Sequence, residues 1–400
     1  MLALQPSASR ASAGSGRAAI QPPLPSALSL PCPLEAGWET LLTVRLPRFE
    51  GGRPSGGFSA LTYDPDSDLL ELLSDAPHGF VQRWSGLRGL VSAAFKGPTL
   101  PRPSLQSRGI LTLHSGSVRL PDEMDGEGMV RLAGDLWVAS EGRRSAARPA
   151  QLLRFDAASG ALREALALPT AWQPTPGQGL EANKGPESLT LWRPTGGHER
   201  LLMASEAALL QDPPGLVRLL EWRISPSGAT TRPLRSLALP GAGLWSLTEL
   251  LSVPQGRGAT GLLALSRRFE EPDRWGARLL LYPTPTPTST ATGAGAGSGS
   301  RGGRGDDAPS GPQPPWHSWD LLASGSGRPG LPADNWEGLS WGPPLADGRA
   351  TLVLVTDDNF SPFQTTWLAV LAPRRLEGCA VPRARSPRTT GRHGGAMEAP

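Results

Sequence analysis

Cysteine is almost missing from this chain. Its two cysteines, Cys32 and Cys379, lie outside the repeated region at opposite ends, and neither a metal-cluster nor a redox spacing exists. Long apolar runs are also missing. No stretch approaches 18 residues, which excludes a membrane-spanning helix. Charge of one sign is lacking too: 39 Lys and Arg face 36 Asp and Glu, for a net charge of +3. Much of the arginine excess lies in the tails, so nothing points to nucleic acid as a partner. There is no Gly-rich phosphate loop and no zinc signature. Tyrosine is scarce, 2 against 13 Trp, and the tryptophans are read as filling interfaces between sheets. Residues 1–31 are rich in Ala, Ser and Pro without a continuous apolar stretch. The best candidate, 24–30, is short and carries Pro25, so no secretory signal is predicted there. Glycine and proline are abundant, at 49 and 43, as in a turn-rich β protein with unstructured segments.

One unit recurs along the chain. A Glu or small polar residue opens an apolar strand, a turn of Gly, Pro or Asp follows, and a second apolar strand ends in a polar pair. The clearest copy runs from Asn335-Trp336-Glu337-Gly338-Leu339 to Thr356-Asp357-Asp358-Asn359-Phe360. Others are Asp125-Gly126-Glu127-Gly128-Met129 with Ser140-Glu141, and Gly185-Pro186-Glu187-Ser188-Leu189 with Ser205-Glu206. Looser copies are Gly57-Phe58-Ser59-Ala60-Leu61 with Ser74-Asp75, and Leu247-Thr248-Glu249-Leu250 with Ser266-Arg267. The anchors Ser59, Glu127, Glu187, Thr248 and Glu337 are separated by 68, 60, 61 and 89 residues, the last gap containing a low-complexity stretch, 283–313. A period of this length predicts radial β repeats.

The strands expected are 58–63, 69–74, 80–84 and 109–113; 129–132, 136–139, 151–155 and 162–168; 188–192, 201–204, 217–224 and 231–239; 247–253, 261–265, 278–282 and 317–322; and 337–341, 351–356 and 365–371. A long Pro-containing loop is expected between 84 and 109. The last repeat has only three strands, and the isolated strand 40–46 can supply its fourth. The fold class predicted is therefore all-β: a β-propeller of five four-stranded blades closed by an N-terminal strand, with six blades as the alternative because the first gap could hide extra strands. The propeller domain is placed at 35–375. The N-terminal segment 1–34, the insert 283–313 and the tail 376–400 have compositions that cannot bury a core and are expected to be disordered. Arg304-Gly305-Asp306 in the insert is read as a product of composition. A Cys32–Cys379 disulfide is expected only in an oxidising compartment.

The residues of these motifs, above all Asp334-Asn335-Trp336-Glu337-Gly338 through Asp357-Asp358-Asn359-Phe360-Ser361, resemble the bacterial "esterase-like activity of phytase" family, also called phytase-like domain proteins. The resemblance spans about 50–375. It implies a β-propeller, a hydrolase activity and an exported or periplasmic location. The chain departs from the family pattern at Ser266-Arg267-Arg268-Phe269, where relatives often have Glu-Arg.

The motifs also carry a chemical expectation of their own. In a blade the innermost and second strands run antiparallel, so the start of one and the end of the other share a face. This places Asp75, Glu127, Glu141, Glu187, Glu206, Glu337, Asp357, Asp358 and Asn359 around one channel mouth, with Asn183 and Asn335 as neutral oxygens; of the Asp357-Asp358 pair, Asp358 is taken as the metal ligand. Such hard oxygen donors suit a divalent cation, calcium above all. Arg143, Lys184 and Arg267 sit beside the same motifs and are expected to receive a small anionic ester substrate. His78 and Arg267 are the candidate catalytic groups. The function expected is hydrolysis of phosphate or other esters by a monomer at an acidic, divalent-cation-dependent mouth. Two alternatives stay open: a non-catalytic propeller that binds a protein or glycan partner, its acids serving only as strand caps, and a metal-dependent lactonase. Gly338-Leu339-Ser340-Trp341-Gly342 fits a nucleophile-elbow pattern, but Pro343-Pro344 follows where that elbow needs a helix.

Overall fold

The computed structural model describes residues 37–97, 103–121, 124–142, 148–192, 198–225, 228–241, 243–255, 258–288, 311–322 and 330–374. A first strand, β1 (Trp38–Arg45), and a short hairpin, β2 (Phe49–Glu50) with β3 (Arg53–Pro54), precede the first blade. The blades comprise β4 (Phe58–Asp64), β5 (Leu69–Ser74), β6 (Phe80–Ser85) and β7 (Gln106–Thr112); β8 (Gly126–Leu132), β9 (Asp135–Ser140), β10 (Gln151–Asp156) and β11 (Leu162–Ala167); β12 (Pro186–Trp192), β13 (Arg200–Ser205), β14 (Leu216–Ser225) and β15 (Gly228–Ala238); β16 (Ser246–Gln255), β17 (Gly258–Glu270), β18 (Arg274–Pro283) and β19 (His317–Asp320); and β20 (Trp336–Trp341), β21 (Leu352–Thr356) and β22 (Trp367–Pro373). The last sheet is completed by β1, which pairs antiparallel with β22 from Trp38 opposite Pro373 to Arg45 opposite Trp367. The innermost strands β4, β8, β12, β16 and β20 follow one another around the axis, and β20 returns to β4. This is the five-bladed propeller expected, closed by the strand expected.

Five apolar clusters fill the five gaps between blades. Phe58, Leu70 and Leu72 of the first blade pack on Val353, Val355 and Val370 of the last; Val81 and Leu73 meet Met129 and Val138; Trp137 meets Leu201 and Trp222. Trp192 packs on Leu262 and Leu280, and Leu263 and Leu279 pack on Trp336 and Leu354. A second strand has neighbours on both faces, which is why Leu352-Val353-Leu354-Val355 reads as an unbroken apolar run and is buried at every position. Each such Leu or Val contributes about 1.5–3 kcal/mol on full burial.

Two segments differ from the sequence expectation. The loop expected after residue 84 contains a helix, α1 (Leu87–Lys96), which buries Leu87, Leu90 and Val91. Asp68, in the first hairpin turn, accepts the amide hydrogens of Gly86 (3.1 Å) and Arg88 (3.0 Å) at its N-terminus. The ends of the stretch expected to be disordered, 283–313, are tied to β15. The amide of Arg235 donates to the Thr286 carbonyl at 2.8 Å, and Gln313 exchanges backbone bonds with Ser236 and Ala238 at 2.7 and 2.8 Å. Backbone hydrogen bonding to a neighbouring blade anchors these ends, an option that composition does not reveal. Cys32, Cys379, residues 289–310 with the Arg304-Gly305-Asp306 tripeptide, and the tails 1–36 and 375–400 lie outside the described residues.

Below the mouth the innermost strands crowd the axis. The next residue after each anchor is Ala60, Gly128, Ser188, Glu249 or Gly338. A Cβ on Gly128 would meet the backbone of Glu187, Ser188 and Leu189 within 3.0 Å, so only glycine fits. An innermost strand also has one edge without a neighbouring strand, and its inward amides need acceptors. Glu249, 1% exposed, takes two of them: the Leu189 amide at 3.1 Å and its neighbour Leu250 at 2.9 Å. Burial pushes this carboxyl well above the usual range.

Two outcomes are expected. Replacing 289–310 with a short Gly-Ser turn, while keeping 283–288 and 311–313, leaves the melting temperature within about a degree; a larger fall in a thermal melt would show that the segment packs. Glu249 has a folded pKa above its unfolded one, so the stability it contributes is fully present below the ordinary Glu range near 4.3 and is lost by up to about 1.4 kcal/mol per pH unit as pH rises from there through the folded pKa. Glu249→Gln keeps an acceptor for both amides and does not titrate. Its melting temperature should therefore overtake the wild type by a margin that widens from pH 4.5 to pH 8. A margin that stays constant across that range would remove the charge from this account.

Candidate active site at the channel mouth

Five bulges build the mouth. In every blade the innermost and second strands slip register at the same point: between Phe58 and Ala60, Gly126 and Gly128, Pro186 and Ser188, Leu247 and Glu249, and Trp336 and Gly338. The extra residues are Ser59, Glu127, Glu187, Thr248 and Glu337, the five anchors of the sequence repeat. A bulged residue has no partner across the ladder, and its side chain is re-aimed. Opposite each bulge the second strand carries a buried hydroxyl residue, which ends the strand in four blades, while β17 continues to Glu270. These residues are Ser74, Ser140, Ser205, Ser266 and Thr356, each followed by a charged one. In four blades that charged residue donates its amide to the carbonyl two residues before the anchor. Asp75 donates to Gly57 at 2.8 Å, and Glu141, Glu206 and Asp357 donate to Asp125, Gly185 and Asn335 at 2.9 Å. The fourth blade carries Arg267 at this position, opposite Ser246.

These groups enclose a cavity of about 260 Å³ with seven carboxylates in its lining: Asp75, Asp125, Glu127, Glu141, Glu187, Glu337 and Asp357. Arg267, Asn183 and Asn359 complete it. Burial, and then the neighbouring charges of Glu337, Asp125 and Asp358, push Asp75 up to about 7. Glu127, Glu187 and Asp357 are pushed well above the carboxylate range, by burial first and by the other acids second. Glu337 is raised by burial but pulled back by Arg267 and by Asn335, whose Nδ2 donates to Glu337 Oε1 at 2.9 Å. Arg267 Nε lies 3.0 Å from Glu337 Oε1, and its Nη2 lies 3.8 Å from Glu206 Oε1. Burial alone would lower the Arg267 pKa; Glu337 and Glu206 override it and keep the guanidinium charged.

The expected site residues separate into three groups. Asp75, Glu127, Glu141, Glu187, Glu337, Asn183, Asn359 and Arg267 come together in the cavity lining. Glu206 stands beside it, bonded to Lys184 Nζ at 3.1 Å, so Lys184 is at the mouth but ion-paired. Asp358 and His78 are not part of the lining. Asp358 turns to the neighbouring blade, where Oδ1 accepts the Gly57 amide at 3.0 Å and Oδ2 accepts the Thr366 hydroxyl at 2.9 Å. It is a clamp between the last blade and the first, because the unpaired edge of β4 needs an acceptor there. Glu141 does the same for the Gly185 amide at 2.9 Å while also lining the cavity. His78 is exposed in an adjoining apolar groove. Ser340 lies in β20 and its hydroxyl donates to the Trp341 carbonyl at 3.3 Å, with no helix following. Arg143 lies outside the described residues. Sequence reasoning missed Asp125 as a lining residue, and it placed Asp357 at the mouth but took Asp358 as the metal ligand. Asp125 stands two residues before an anchor. Asp357 directly follows the terminal hydroxyl of β21, the position of Asp75 and Glu141 in their blades, and that alignment could have selected it over Asp358.

The class that this fold and mouth define is a five-bladed β-propeller with a carboxylate-lined central cavity. The chain belongs to the phytase-like family, described as "Esterase-like activity of phytase", which matches residues 53–360, most of its length. Family and fold together support a hydrolase-type reading. No curated protein matches the sequence. Two solved structures, "COPII on membranes, outer coat vertex" and "The structure of the COPII coat assembled on membranes", align with 79% of the chain at 11% identity and a TM-score of 0.29. The alignment covers 62% and 34% of those chains, and at that TM-score the likeness carries no argument. Among the described residues no helix is long and apolar enough to cross a membrane.

Proposed function

We propose that the mouth is the active site of a divalent-cation-dependent hydrolase acting on phosphate or other esters. The observation that carries this reading is the grouping of Asp75, Asp125 and Glu127, each with a carboxylate oxygen within 4.8 Å of the other two. Oxygens around one calcium ion, each at about 2.3–2.6 Å from it, stand no farther apart than about 5 Å. The donor set is all oxygen, which favours calcium or magnesium over zinc. Asp75 Oδ1 and the buried Asn335 Oδ1 have no hydrogen-bond partner among the described residues, as fits groups that are completed by a ligand. Asp75, Asp125 and Glu127 would hold the cation, which would supply a Lewis acid that polarises the ester oxygen.

The chain's own residues supply the rest. Arg267, opposite the acidic trio in the ring, holds the anionic end of the substrate, assisted by Lys184 from the rim. Glu337 and Glu187 differ in environment. Arg267 and Asn335 favour the ionised form of Glu337, which accepts the proton of the attacking water. Glu187, buried among Glu206, Glu127 and Glu141, keeps its proton and delivers it to the leaving oxygen. Two carboxyls whose surroundings push their proton affinities apart suit acid–base catalysis of this kind. A second reading, a non-catalytic rim that binds a partner, is favoured by the clamping bonds of Glu141 and Asp358.

Two measurements separate these readings. Turnover of p-nitrophenyl phosphate or p-nitrophenyl acetate should fall about 100-fold or more in Glu187→Gln and Glu337→Gln; turnover that survives both substitutions excludes this assignment. Calcium at 100 times its dissociation constant should stabilise the fold by about 2.7 kcal/mol. The melting temperature should rise with calcium, fall with chelator, and respond less in Glu127→Gln. Coincident melts with calcium and chelator would favour the non-catalytic reading.

A further inference from the structure

A second cavity adjoins the acidic one. It holds about 510 Å³ and is lined by Pro54 of the β2–β3 hairpin, Pro77 and Phe80 after β5, Ile110 of β7, and Phe360 from the loop after β21. This volume lies in the range of small-molecule pockets, which are mostly apolar with polar groups at one end. The two linings are adjacent along the chain at two points. Asp75 lines the acidic one and Ala76 the apolar one; Asn359 lines the acidic one and Phe360 the apolar one. The Phe360 ring and the Asp75 carboxylate converge over Gly57, where a Cβ would strike both.

Phe360 is held there against its own preference. Its φ of 50° is left-handed, as is the 48° of Asn359 before it. That region is unfavourable for a bulky side chain and persists only where surrounding bonds impose it. The Phe360 amide donates to Asp358 Oδ1 at 3.1 Å, the same oxygen that receives the Gly57 amide at 3.0 Å. The clamp between the last and first blades therefore also presents an aromatic ring, 43% exposed, at the junction of the two cavities. An exposed phenyl in a strained backbone contributes little to folding. In this place it forms one wall of the apolar groove, beside the Asp75 carboxylate.

We infer that this groove is the subsite for the apolar chain of an amphiphilic ester, a medium-length acyl or alkyl group whose ester end reaches the acidic mouth. The inference rests on the reading of the mouth as an ester site. It makes Phe360, Ile110, Phe80 and Pro54 determinants of chain-length specificity, and it gives His78 and Arg53, exposed in the same groove, no part in bond cleavage.

The test reads binding as well as turnover. Octylphosphonate and methylphosphonate are titrated calorimetrically into the full chain with calcium present, and p-nitrophenyl octanoate is compared with p-nitrophenyl acetate. Octylphosphonate should bind at least tenfold more tightly than methylphosphonate. That ratio should fall at least fivefold in Phe360→Asn, a change suited to the left-handed backbone, and in Ile110→Gln, elsewhere in the same lining. An octyl-to-methyl ratio near one overturns the inference. So does a ratio that both variants leave unchanged while their melts show a folded protein. If the octyl preference is present and lost in the variants but neither nitrophenyl ester is cleaved, the subsite stands and the hydrolase reading falls. If both esters are cleaved with equal kcat/KM and octylphosphonate shows no gain, the hydrolase reading stands and the subsite falls.

Discussion

The innermost strand of a propeller blade has one edge with no strand beside it, and most of this molecule answers that constraint. The amides along that edge need acceptors, and water has little access once five strands converge. The chain supplies carboxylates. Asp358 accepts the Gly57 amide, Glu141 the Gly185 amide, and Glu249 the amides of Leu189 and Leu250. The same crowding limits the residue after each bulge to Ala60, Gly128, Ser188 or Gly338 in four blades, and leaves space for one long side chain, Glu249, in the fifth. Acids at the axis are thus part of how the ring is held, before any chemistry is asked of them.

A ring of such acids has an electrostatic consequence. Seven carboxylates line a small cavity, and burial raises the proton affinity of those at its heart. The fourth blade breaks the pattern, with Thr248 at the bulge and Arg267 where the other blades place an acid. That break in the repeat is the source of the mouth's polarity: an acidic trio, Asp75, Asp125 and Glu127, in the first two blades, and a guanidinium in the fourth. Arg267 pairs with Glu337 and offsets part of the rise that burial imposes on it, whereas the neighbouring charges that shift Glu187 most are other acids. A site with a cationic and an anionic half follows from a repeat that is not perfect.

Much of this was legible in the residues. The anchors were found as a period, and each proved to be the extra residue of a bulge, because a polar side chain in an apolar strand must leave the sheet to reach the channel. Strand 40–46 was assigned to the last blade because that blade lacked a fourth strand. Other elements were misjudged for reasons of the same kind. Leu87, Leu90, Val91, Ala94 and Phe95 have helical spacing, but the surrounding glycines and prolines masked α1. Asp357 and Asp358 were both placed beside Glu337, with Asp358 as the ligand, because two adjacent acids alternate in direction at a strand end and spacing alone does not say which one turns inward. His78 was placed near the carboxylates by its position after Ser74-Asp75; the loop instead carries it past them into the groove.

The sequence by itself determined the class of fold, the closing strand and the phase of the acidic residues, and it favoured five blades over six. These depend on local periodicity and on the need to bury apolar runs, and both are properties of the chain read in order. Only the tertiary structure decided which acids clamp backbone and which line the cavity, that Arg267 faces Glu337, and that Phe360 and Asp75 meet over Gly57. Those relations join residues up to some three hundred positions apart. They depend on angles and distances of a few ångströms between blades, which no spacing along the chain encodes.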